Sequence, residues 1–195
     1  MLILASQSAS RRAMLTAAGV AFTAQSPGVD EDAAKASLAD LSPRNLADAL
    51  AELKATRVSQ RLPGALVIGC DQMLELDDGT TFDKPVSRED AAAQLRHLRG
   101  RTHKLLSAAV GCENGRPVWR AVEVAALTVR PFSDAFLAGY LDAEWPAIGG
   151  CVGGYRFEGL GIQLFSRVAG SHAAILGLPL LPLLGWLRER GVLAG

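Results

Sequence analysis

Five places along the chain concentrate side chains able to grip a polyanion or activate a water. Ser6-Gln7-Ser8-Ala9-Ser10-Arg11-Arg12 follows a short apolar run and precedes a helical pattern. Free backbone N–H groups at a helix start, hydroxyls and two guanidinium groups suit a phosphate chain. The same residues also read as a capped helix with solvated arginines. Asp30-Glu31-Asp32 lies just after Pro27-Gly28. Neighbouring acids suit a hard cation such as magnesium, and equally an exposed loop. Asp71-Gln72 comes directly after Leu66-Val67-Ile68-Gly69-Cys70. A carboxylate at the end of a buried strand stands where open α/β sheets hold ligands, and its burial demands a partner. A structural hydrogen-bonding role is the alternative.

Lys54 and Lys84 each offer a point charge for phosphate, or an ordinary solvated lysine. The fifth segment runs from Gly153 to Gly161 and includes Arg156 and Glu158. Its glycines permit close backbone approach to a ligand, and Glu158 can accept from a base edge. A glycine loop without a ligand is the competing reading. His97, His103 and His172 have no metal-ligand spacing and read as structural. There is no GxSxG elbow and no GxxxxGK[ST] loop, so serine-hydrolase and P-loop chemistry lack support.

The elements around these segments alternate in type. Leu2–Ala5 reads as a buried strand, and Ser8 or Ser10 caps a helix that stops at Gly19. Ser42-Pro43 opens a helix toward Arg61, with Leu46, Leu50 and Leu53 at helical spacing. Ala65–Cys70 reads as a strand covered on both faces. Asp77-Asp78-Gly79 is a turn, and Ser87 caps a helix to Leu98. His103–Gly111 and Val118–Val129 pair across Asn114-Gly115, a strong hairpin signal. Ser133 caps a helix through Leu141, and Pro179–Arg190 is the last helix. This order predicts an α/β fold: a mixed sheet with helices on both faces and one long β-hairpin.

Composition narrows the function classes. The chain has 195 residues, 49% of them hydrophobic and 21% charged, which fits a globular domain with a real core. Net charge is zero, so nothing draws a nucleic acid backbone to the chain as a whole, and no nucleic acid partner is expected. The three cysteines, Cys70, Cys112 and Cys151, form no CxxC. A zinc site or disulfide framework is not expected, and a cytoplasmic setting is. No secretory leader is read at Met1–Arg12, and Ala173–Leu187 is too broken by glycine and proline for a membrane span.

Taken in order, the pieces resemble one family. Leu4-Ala5-Ser6-Gln7-Ser8-Ala9-Ser10-Arg11-Arg12 and Asp30-Glu31 resemble the opening of the Maf nucleoside triphosphate pyrophosphatases. Lys54-Ala55, Gly69-Cys70-Asp71-Gln72 and Asp83-Lys84-Pro85 continue the match. So do Leu98-Arg99-Gly100 with His103, Gly159-Leu160-Gly161-Ile162, and Gly177-Leu178-Pro179-Leu180. The resemblance implies a single Maf/ITPase-like domain over 1–195, its twisted sheet carrying two lobes around a central cleft.

It further implies cleavage between the α- and β-phosphates of a nucleoside triphosphate with a divalent cation, magnesium or manganese. Asp71 would accept the proton of the attacking water. Ser6, Ser8, Arg11, Arg12, Lys54 and Lys84 would hold the triphosphate, and Glu31 with Asp71 the metal. Specificity would track Ser10, Gln72 and Glu158. Gln72 and Glu158 resemble the branch that takes 7-methyl-GTP, whereas Ser10 does not, and the dTTP/UTP branch stays open. The family usually has proline at the position of Ala9 and arginine or a bulky aromatic at that of Ser10. That departure keeps a catalytically weak, nucleotide-binding regulatory protein as a second reading. A homodimer is expected from the resemblance.

Overall fold

Every side chain between Leu2 and Ala5 is buried, as in a strand covered on both faces. This strand, β1, pairs in parallel with Leu66–Leu76 (β3), from Leu2 opposite Leu66 to Ala5 opposite Gly69. Thr23–Ala24 (β2) pairs in parallel with β1, and Thr81–Phe82 (β4) turns back antiparallel onto β3. Thr102–Glu113 (β5) and Arg116–Val129 (β6) form the long hairpin, and Phe165–Ala169 (β7) pairs antiparallel with β6. The hairpin closes through Asn114 at φ 49° and Gly115 at φ 73°. Positive φ at both central positions is what a tight two-residue turn requires, and Asn-Gly supplies it. The strand order β2-β1-β3-β5-β6-β7, with β4 on β3, is an open seven-stranded mixed sheet. The computed structural model describes all of residues 1–195.

The helices start where side chains can satisfy free N–H groups. Ser8 caps Ala9–Ala17 (α1), Asp30 caps Glu31–Ser37 (α2) and Ser42 caps Pro43–Arg61 (α3). Ser87 caps Arg88–Leu98 (α4), and Ser133 caps Asp134–Glu144 (α5). One helical turn, His172–Ile175 (α6), precedes Leu180–Glu189 (α7). None of these helices is long and apolar enough to cross a membrane.

Two expectations are corrected. Asp71 and Gln72 do not end a strand; β3 runs on to Leu76, because Met73, Leu74 and Leu76 continue its buried pattern and Lys54 neutralises the acid in the middle. Asp30-Glu31-Asp32 is not a loop: Asp30 caps α2, and Glu31 and Asp32 occupy its first turn, where carboxylates favour the helix dipole.

The chain forms two compact units, one of residues 1–72, 106–123 and 172–195, the other of 73–105 and 124–171. In the first, helices cover both faces of the sheet. Leu2, Leu4, Leu66, Ile68 and Cys70 pack with Leu15 of α1 and with Leu183, Trp186 and Leu187 of α7. On the other face α3 lies against β3 so closely that a Cβ at Gly69 would overlap the Ala51 carbonyl oxygen and stand 2.6 Å from the Ala55 nitrogen. In the second unit, His103 and Tyr155 are buried and joined by a hydrogen bond of 2.7 Å between Nε2 and the phenol. The Phe165 ring meets Tyr155 edge-on at 4.8 Å. Burial pushes the His103 imidazole down to about 4.

Two outcomes follow from this packing. Gly69→Ala must push α3 off the sheet, and it is expected to cost roughly 3 kcal/mol in urea unfolding, at the upper end of ordinary overpacking. For His103 the unfolded chain takes up a proton near the ordinary value of about 6.5, whereas the folded one resists until lower pH. Its stabilising contribution is therefore complete above about pH 6.5 and disappears as pH falls toward 4, on the order of 3 kcal/mol in all. Urea titrations across that window should show the loss, and His103→Gln should flatten it.

Candidate active site

Successive residues of a strand point to opposite faces. Ile68 and Cys70 belong to the α1/α7 side of β3, and Gly69 faces α3. Asp71 therefore lies on the α3 side and Gln72 on the other. On α3, Ala51, Lys54 and Ala55 are spaced three and four apart and share one stripe. The close approach at Gly69 brings Lys54 to Asp71.

The result is a buried ion pair. Lys54 Nζ lies 2.6 Å from Asp71 Oδ1, with both residues close to fully buried. Glu31, the first residue of α2, reaches the same ammonium at 2.8 Å, its side chain 36% exposed. The lysine thus stands between a sheltered carboxylate and a half-exposed one. Sequence spacing places these three residues far apart, and the fold joins them. Asp71 still has Oδ2 to offer as an acceptor, since the contact to Lys54 uses Oδ1.

Around the start of α1, Ser6 Oγ accepts from the Ser8 amide at 3.2 Å and from Arg11 Nη1 at 3.4 Å. The Ser8 hydroxyl in turn accepts from the Arg11 amide. The Arg11 guanidinium donates from Nε to the Gly177 carbonyl at 2.8 Å and from Nη1 to the Cys70 carbonyl at 3.1 Å. It ties α1 to β3 and to the turn after α6. Gly177 suits that place: its φ is 94°, and a Cβ there would lie 3.2 Å from the guanidinium. Arg12 is exposed, and Ser10 is partly buried in the first turn of α1. The Cys70 thiol points into the core, and burial pushes it up to about 11 against the opposing charges of Arg11 and Lys54.

Gln72 is held from the α6 side. Its Nε2 donates to Ser107 Oγ at 2.9 Å, to the Ala174 carbonyl at 3.1 Å and to the Ile175 carbonyl at 3.0 Å. Ser107 was not singled out from the sequence. The available signal was a lone hydroxyl inside Leu105-Leu106-Ser107-Ala108-Ala109, a run that otherwise reads as pure core.

Lys84 and Glu158 belong to the second unit, and both are exposed. They act on one common neighbour there. Burial raises the Cys151 thiol, Glu158 adds to the rise, and Arg156 and Lys84 oppose it. Arg156 is anchored by the buried Glu144 at 2.8 Å, which pins the glycine segment that carries Glu158.

The family model described as "Maf-like protein" matches residues 1–190. The chain belongs to the Maf family. Among proteins similar to it, one from Sphingopyxis alaskensis is 53% identical over 98% of both chains. One from Caulobacter vibrioides is 55% identical over 97% of this chain and 96% of its own. A third, from Paramagnetospirillum magneticum, is 53% identical over 98% and 99%. Each is named nucleoside triphosphate pyrophosphatase.

A divalent cation is implied for a Maf protein, and the donor set can be tested against one. Glu31 and Asp71 converge on a single point, now marked by the Lys54 ammonium. No cluster of three or more histidine, cysteine or acidic residues surrounds it. Two carboxylates without a full protein cage fit magnesium, which takes one or two carboxylates and completes its shell with water and substrate phosphate. Glu31 and Asp71 are the residues that would hold such an ion.

Removing one partner of a buried pair leaves the other uncompensated. Lys54→Met is expected to cost about 3 kcal/mol or more in urea unfolding. Glu31→Gln, at a half-exposed position, should cost less than about 1 kcal/mol. Equal costs for the two variants would show that Asp71 does not depend on Lys54.

Proposed function

We propose that the chain hydrolyses nucleoside triphosphates to the nucleoside monophosphate and pyrophosphate, with Asp71 as the proton acceptor. The observation that carries this reading is the buried carboxylate of Asp71 held by Lys54, whose ammonium also meets Glu31. The names of the similar proteins support the reaction class.

Attack on phosphorus asks little covalent work of a protein. It needs an oriented water, a place for its proton and neutralised phosphate oxygens. In this reading water attacks the α-phosphorus and its proton passes to the Asp71 carboxylate. The bond from that phosphorus to the bridging oxygen breaks, and pyrophosphate leaves with the electron pair. Lys54 orients Asp71 through Oδ1 and adds positive charge. The amides at the start of α1, with Ser6, Ser8 and Arg12, supply donors and charge for the polyphosphate. Arg11 holds that loop to β3 and the Gly177 turn, so it serves the same end through the frame. Lys84 joins the phosphate contacts, and Ser10 and Glu158 the choice of base, by resemblance. A magnesium or manganese ion held by Glu31 and Asp71 would supply further charge neutralisation at the phosphate oxygens.

On the base, Gln72 and Glu158 resemble the branch that takes 7-methyl-GTP, whereas the small Ser10 offers no surface on which a purine could stack. A panel of ordinary and 7-methylated nucleoside triphosphates, assayed for pyrophosphate with each metal, reads this directly. Asp71→Asn is expected to lower turnover by about a hundredfold or more while the protein stays folded and binds nucleotide. Release of pyrophosphate by that variant at the parent rate would remove Asp71 as the base. Tight nucleotide binding by the unmutated chain, with no product in either metal, would replace the enzyme with a nucleotide-binding regulator.

A further inference from the structure

Gln72 sits next to Asp71 in the chain and is only partly buried. A glutamine amide has a donor end and an acceptor end of nearly the same shape, so what a ligand meets depends on which end is turned outward. Here the surroundings decide. The Ala174 and Ile175 carbonyls can only accept, and both stand within 3.1 Å of the Gln72 amide. Ser107, fully buried, donates its hydroxyl proton to the Ala174 carbonyl at 2.7 Å. Its oxygen therefore faces Gln72 with lone pairs, as a third acceptor at 2.9 Å. Turning the amide over would set its oxygen against all three. The nitrogen is committed inward, toward the Ala174 and Ile175 carbonyls at the end of α6.

We propose that Ser107 is a positioning residue for substrate choice: it fixes Gln72 so that only Oε1, an acceptor, is available to the nucleotide. This rests on the nucleotide-hydrolysing reading of the adjoining Asp71 site. An acceptor fixed in this way selects for a ring N–H on the base, as in guanine or uracil, and against a bare ring nitrogen at the same place, as in adenine or cytosine. A site whose polar group is left unpaired by the wrong ligand discriminates more strongly than an apolar pocket can. Ser107 contributes no contact to substrate; it acts through Gln72. Without its hydroxyl the two amide protons keep the Ala174 and Ile175 carbonyls but lose the contact that ties the amide to β5.

The test uses the whole chain with nucleotide pairs in which a methyl group replaces the ring N–H hydrogen: uridine against N3-methyluridine triphosphate, and guanosine against N1-methylguanosine triphosphate. The unmutated chain is expected to prefer the N–H member of at least one pair by about tenfold or more in kcat/KM. Ser107→Ala should reduce that preference to about threefold or less, with kcat for the preferred nucleotide within about twofold of the parent. Ser107→Thr keeps the hydroxyl and should retain the preference. In a Gln72→Met background, which has no amide, Ser107→Ala should change nothing further, since two residues acting as one unit do not add. The inference is overturned if the parent chain hydrolyses both members of each pair equally, if Ser107→Ala slows both members alike, or if the two substitutions add. Absence of pyrophosphate from every nucleotide would instead sink the proposed reaction.

Discussion

The first unit is organised around one charge pair placed where charge is costly. Moving Lys54 and Asp71 out of water carries a desolvation cost of several kcal/mol per ion, recovered only when the partners meet with good geometry. The fold meets that condition by thinning the sheet surface at Gly69, where the α3 backbone comes close to β3. The capping of α2 by Asp30 then delivers Glu31 to the free side of the same ammonium. A tightly packed pair of hydrophobic residues would stabilise the fold as well or better, so the retention of ions here speaks for chemistry rather than for stability.

A second constraint acts on the opposite side of β3. At the end of the short helix α6 the Ala174 carbonyl already accepts from the Gly177 amide, and three side chains converge on the same turn. Arg11 takes Gly177, Ser107 takes Ala174, and Gln72 takes Ala174 and Ile175. These donors come from α1, β5 and β3, so one turn registers three separate elements against each other. The loop before α1 is held by the same guanidinium. Preorganisation of this kind lets a site keep its geometry when the ligand is absent.

Much of this could be read in the chain, for identifiable reasons. Ser42, Ser87 and Ser133 each stand just before a periodic apolar run, and each caps a helix. Asn114-Gly115 has one low-energy use between two strands. The helix α2 escaped because it has no buried residue and hence no apolar period to detect. The two-residue strands and the single turn of α6 are shorter than any repeat. The extension of β3 was hidden by Asp71, since a carboxylate inside a buried strand looks like an end until its partner is known, and that partner sits on a helix. Ser107 was hidden for the opposite reason: a small hydroxyl is common enough in cores to pass without notice.

The placing of the cysteines bears on the conditions the protein tolerates. All three thiols are shifted upward, chiefly by burial, and Cys70 adjoins the proposed base. The thiolate is the form that attacks peroxide and alkylating reagents, and a thiol held at about 11 offers almost none of it at neutral pH. The sulfur beside the proposed base is thereby held in its less reactive, protonated form.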